Sequence, residues 1–242
     1  MKPPACAGTV EGPMSPFHPS PFQAAEAELS RRADQDLPML TVADAATRLL
    51  HWAIERSPVE ATDDDPIPAA YVRAHALLYI ALSGVRTTRT VMTTIRAGYE
   101  PEALPMIRKL AELRGRAQRV RKDHSGQYAR EWLDGRGPGP QRALVDPPAG
   151  MWEGLSRMSH ADARGVETFL VNPDLTNEEE INFLVLPERD PETANGTLAL
   201  AAGYARDIAE DLALERDLTL PGLAALDADL RAGFREYLSE AA

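Results

Sequence analysis

Between Tyr71 and Asp123 two long helical runs meet at one short break, Ala97-Gly98-Tyr99-Glu100-Pro101. In the first run the apolar positions Val72, Leu78, Ala81, Leu82, Val85, Met92 and Ile95 fall at steps of three, four and seven, widened by Leu77 and Ile80. That is the period of a helix and not the alternation of a strand. Gly98 stands where a helix ends in a left-handed residue, and Pro101 where the first turn of the next helix tolerates proline. Glu100 and Glu102 put negative charge at the positive end of that next helix. Leu104, Ile107, Leu110, Ala111 and Leu113 then give it an apolar face. The stretch predicts an antiparallel helix pair around which the shorter elements pack.

The first helix of the pair carries two features at odds with an isolated helix. Gly84 interrupts it and predicts a bend, and Thr87, Thr88, Thr90, Thr93 and Thr94 are poor helix formers. Tertiary packing must hold such a run, and its hydroxyls are expected to bond to carbonyls one turn earlier.

Around the pair, the periodicity predicts helices from Phe22 to Arg32, after Thr41 as far as the residues before Pro58, and from Ser125 to Leu133. Others are expected from Met151 to Gly165, from Glu192 to Leu214 and from Leu220 to Leu238, with Asp217 or Thr219 capping the last. Val166–Val171 and Ile181–Leu186 change period and admit one small β-hairpin. Residues 1–21 hold six prolines and no sustained apolar run, so they are expected to form an extended arm. The fold expected is all-α: a single-domain helical bundle over residues 22–242, built around a long antiparallel helix pair.

Composition removes several function classes. The formal charge of −11 disfavours nucleic acid as the default partner. The single cysteine, Cys6, rules out an internal disulfide and a cysteine-rich metal site, which fits a cytoplasmic protein. The arm lacks the apolar core of a signal peptide, and no run approaches the ~20 apolar residues that span a bilayer. Gly137 and Gly139 do not form a phosphate loop, because no strand precedes them and Pro138 and Pro140 remove amide donors. Acidic residues and histidines do not repeat on two helices as a di-metal bundle requires, so no metal and no cofactor are expected.

Arg96 to Glu112, RAGYEPEALPMIRKLAE, resembles a group of bacterial all-helical proteins of uncharacterised role. Their signature is a Gly-aromatic break, an acidic helix start and Arg-x-x-x-Glu, here Arg108 to Glu112. A later Ser-x-x-x-His element matches Ser156 to His160. The resemblance spans Tyr71 to about Leu214. It extends to the HEPN-like and abortive-infection-type bundles, many of which are ribonucleases marked by Arg followed four to six residues later by His. Arg119 to His124 has that spacing, with Val120 where the pattern has a polar residue, and His160 has no Arg at that distance.

The candidate catalytic residues are therefore Arg119, His124 and His160, the last beside Asp162 as a general base would need. Arg108 and Glu112 are the candidate binding residues for a carboxylate or phosphate, or else a structural ion pair. His75, four residues before Tyr79, is expected to pack in the core or bond between helices. Charge divides along the chain: nine Lys or Arg against four acids from Arg108 to Arg136, then thirteen acids against three Arg from Glu167 to Asp217. The acidic C-terminal helix is expected to lie against the basic one, within or between subunits. Without a convincing catalytic set, the function expected is that of a helical interaction or regulatory protein that self-associates or binds a protein partner. The alternatives are a HEPN-like, defence-related ribonuclease acting on RNA, and a small-ligand sensor with a pocket between helices.

Overall fold

The computed structural model describes residues 21–60, 62–63, 66–139 and 189–237, and among these residues it contains seven helices and no strand. They are α1 (Pro21–Asp36), α2 (Pro38–Glu55), α3 (Ala69–Arg96), α4 (Glu100–Lys122), α5 (Gln127–Leu133), α6 (Pro191–Glu215) and α7 (Leu223–Tyr237). The all-α expectation holds. Residues 1–20 and the segments expected to form a helix from Met151 to Gly165 and a hairpin between Val166 and Leu186 lie outside the described residues. Pro21 opens α1 and does not belong to the arm.

The α3–α4 break forms as its residues dictate. Gly98 adopts φ 89°, its N–H donates to Ile95 O at 3.0 Å, and the Tyr99 N–H donates to Thr94 O at 3.0 Å. This paired closure satisfies two carbonyls that the helix end would otherwise leave open. The threonine run of α3 bonds back to its own helix: Thr87 Oγ1 donates to Ser83 O, Thr88 Oγ1 to Gly84 O and Thr90 Oγ1 to Arg86 O, all within 2.9 Å. Thr87, Thr88, Val91 and Ile95 are buried, so packing holds a run that propensity alone would not. Gly84 marks a close approach. A Cβ there would stand 3.1 Å from Leu50 Cδ2 of α2 and 3.4 Å from Ile208 Cδ1 of α6.

The α3–α4 pair forms as expected, and the most enclosed helix of the bundle is α6. Those two helices do pack along each other, but α6 packs against α2, α3, α4 and α7 together. Fourteen of its 25 residues are buried, against twelve of 28 in α3 and eight of 23 in α4. The physical reason is in its residues. Ala199, Ala201, Ala202, Ala205 and Ala209 are small on several sides, so neighbouring helices come close all round. Leu198, Ile208 and Leu212 fill the spaces left between them and are fully buried.

Two polar residues near the start of α6 tie it to the far end of the bundle. Asn195 is buried; its Oδ1 accepts from Met39 N at 3.1 Å, and its Nδ2 donates to Asp36 O and Pro191 O. It thereby caps α2, whose own N-cap residue, Leu37, offers no side-chain bond. Arg189, with its side chain 1% exposed, donates to Leu29 O at 3.0 Å and to Asp36 Oδ2 at 2.7 Å, and reaches Arg96 O at 3.4 Å. One guanidinium so joins α1 to the end of α3.

At the other end of α6 the expected cap differs. Asp217 is left-handed at φ 51° and closes α6, with the Leu218 N–H donating to Ala213 O at 2.9 Å. Short polar side chains such as Asp tolerate that conformation. Leu220 does not open α7 either, because Pro221 and Gly222, at φ 71°, first turn the chain and the helix starts at Leu223.

Candidate functional site

The candidate residues of α4 fall on its side away from the core. Arg108 and Glu112 form the expected pair, Nε to Oε1 at 3.3 Å, with side chains 17% and 19% exposed. Arg116 and Arg119 continue the row at helical spacing, half-buried. Both guanidiniums lie beside Tyr128 of α5, whose hydroxyl is pushed up by burial while the two cations pull it back.

Asp123 turns to the residues that follow it. Its carboxylate accepts from Ser125 Oγ at 2.5 Å, Ser125 N at 3.1 Å and Tyr128 N at 2.7 Å, and so starts α5. Those bonds hold its pKa below the ordinary carboxylate range.

His124 sits on that turn with an exposed ring, and its backbone carbonyl accepts from Arg73 Nη1 at 2.9 Å. The structure thus gives Arg119 and His124 different surroundings, one against Tyr128 and one in solvent. His160 lies outside the described residues. Among the described residues no three His, Cys, Asp or Glu side chains are placed to hold a metal ion, and no helix is long and apolar enough to cross a membrane.

The charge division resolves inside the chain. Asp207, Asp211 and Glu215 follow one another at four-residue steps on α6. Asp207 pairs with Arg114 of α4 at 3.0 Å, Asp211 with Arg121 of α4 at 2.6 Å, and Glu215 with Arg73 of α3 at 2.8 Å. Burial pushes the Asp211 carboxyl up, and Arg121 opposes the shift. The basic segment of α4 is in this part a partner for α6 and not a free surface.

A second junction lies where α4 and α6 begin. Glu100, in the first turn of α4, keeps Oε1 buried without a hydrogen-bond partner among the described residues. Burial, reinforced by the Asp190 carboxylate, pushes its pKa up to about 7, against the pull of the Asp190 backbone N–H and of Arg189. Above about pH 7 folded and unfolded chains both carry the charge, and below about pH 4.5 neither does. Between these values only the folded chain holds the proton, so stability falls as pH rises through the window. Glu100→Gln is expected to flatten that slope and to stabilise the protein at pH 8 by on the order of 1–2 kcal/mol, after discounting for the exposed part of the side chain. Urea unfolding of both proteins from pH 5 to pH 8 measures it; parallel slopes would assign the pH dependence elsewhere.

The surface that sequence reasoning passed over is the outward face of α3. Tyr71, His75 and Tyr79 stack along it with ring centroids 5.5 Å and 5.3 Å apart. His75 is half-buried, its ring tilted between those of Tyr71, which packs against the core, and Tyr79, with Nδ1 buried and without a hydrogen-bond partner among the described residues. Tyr79 is 52% exposed and Leu82, one turn on, 38%. Arg86 and Arg89 continue the same face, both exposed. The signal is present in the sequence as i, i+3 and i+4 spacing of Tyr, Leu and Arg, but the apolar period alone groups Leu82 with the inward positions. Comparison with protein-family models, curated proteins and solved structures returns no match for this chain.

Proposed function

We propose that this protein is a helical interaction or regulatory protein that works by contact with another protein surface through the outward face of α3. The observation that carries the reading is that face itself, with its exposed tyrosine, leucine and two arginines in one helical row. Tyr and Arg are the residues that most often dominate binding energy at protein interfaces. The bonds of Arg73, Arg114, Arg121 and Asp123 to their neighbours give those groups structural work.

The reading is tested by placing a photoreactive amino acid at position 82 and irradiating cells that make the protein. A protein adduct at that position is expected, and its absence overturns the reading. Total RNA is incubated in parallel with wild type and with His124→Ala. No cleavage is expected from either. Cleavage by wild type that disappears in His124→Ala would establish the ribonuclease implied by the HEPN-like resemblance instead.

A further inference from the structure

The 28 residues of α3 contain no Asp or Glu, in a chain with 37 acidic residues and a formal charge of −11. Its four arginines divide in two. Arg73 and Arg96, near the helix ends, pair with Glu215 and Asp34. Arg86 and Arg89 lie in the exposed stretch between them and make no ion pair among the described residues. On the opposite side of the bundle α6 answers Arg114 and Arg121 of α4 with carboxylates. Among the described residues none stands against Arg86 and Arg89.

From the structure we infer that the α3 face binds an acidic amphipathic helix of a partner protein, with apolar side chains on Tyr79 and Leu82 and carboxylates on Arg86 and Arg89. The inference rests on the interaction reading above and adds the chemistry of the partner. The four residues run in one row along a regular helix, about 15 Å from Tyr79 to Arg89 at the helical rise. A narrow row of that kind is matched by a second helix lying alongside, whose own i, i+3, i+4 and i+7 positions supply alternating anchors. Two copies of the face laid on each other would cover the tyrosine and leucine but bring no carboxylate to the arginines. Charge complementarity therefore selects an acidic partner over a second copy. The arginines set which partner is accepted and the rate of encounter, and the apolar pair holds it.

The test uses the full chain and three synthetic helical peptides with the same leucine spacing and a glutamate, glutamine or lysine polar face. Binding is read by fluorescence anisotropy. The glutamate peptide is expected to bind about tenfold or more tighter than the glutamine peptide, with an affinity that falls as salt rises, and the lysine peptide not to bind. Arg86→Glu with Arg89→Glu is expected to reverse the order and select the lysine peptide. Tyr79→Ser with Leu82→Ser is expected to bind none of the three. These side chains are exposed, so the variants should melt with wild type, which a parallel thermal scan checks.

Equal binding of the three peptides, no binding of the glutamate peptide, or no reversal on the charge swap would overturn the proposal. Light scattering separates the remaining outcome. A wild-type dimer that becomes monomeric in Leu82→Ser puts a second copy on the face, which removes the acidic helix and leaves the interaction reading standing.

Discussion

Leu212→Ala is expected to lower the unfolding free energy by about 2–5 kcal/mol, toward the upper part of that range. Leu212 is fully buried on α6, and that helix is packed against four others. The cost of a large-to-small change has two parts, the lost transfer of the side chain from water and the cavity that remains. A helix at the edge of a bundle can shift inward and recover some of the second part. One held between α2, α3, α4 and α7 has little room to do so. Leu110→Ala, also fully buried but on α4, is expected to cost on the order of 2–4 kcal/mol. His124→Ala should cost less than about 0.5 kcal/mol, because its ring is exposed and the backbone carbonyl that holds Arg73 is retained. Urea denaturation of the three variants measures the order. A His124→Ala variant as unstable as Leu110→Ala would mean that its ring is part of the core.

The second large effect is expected at Arg189. Its guanidinium is buried and bonds to Asp36 and to the carbonyls of Leu29 and Arg96, so Arg189→Met removes one donor from a carboxylate and from each of two carbonyls. Removing one partner of a fully buried pair costs about 3–5 kcal/mol. Asp36 is 23% exposed and keeps Arg32 at 3.7 Å, so about 2–4 kcal/mol is expected here. Asp36→Asn should cost less, because a neutral amide still accepts from Arg189. If Arg189→Met proves as stable as wild type, α1 is not held to the bundle by this residue.

Much of the fold was legible because local chemistry specifies it. Gly98 and Pro101 mark one helix end and the next start whatever surrounds them, and the threonine hydroxyls found the carbonyls that their spacing offers. The pairing of acidic and basic helices was also legible, since Asp207, Asp211 and Glu215 stand in one row for Arg114, Arg121 and Arg73.

The arrangement in space was not. The alanines of α6 give a weak amphipathic signal because they are small on every side, and that same property places the helix at the centre. Asn195 and Arg189 act on residues more than 90 positions away, which no periodicity records. The candidate site suffered from the same limit. The spacing of Arg119 and His124 says nothing of exposure, and the outward row of α3 shows only once it is known which side of the helix the bundle leaves open.

The claim that α6 is the most enclosed helix of this protein is tested most directly by native-state hydrogen exchange. The amides between Leu198 and Leu212 are expected to exchange only through global unfolding, with the same free energy as urea denaturation reports. Those of α1, α5 and α7 should open at lower free energy. Slowest exchange confined to α3 and α4, with α6 opening locally, would contradict the account.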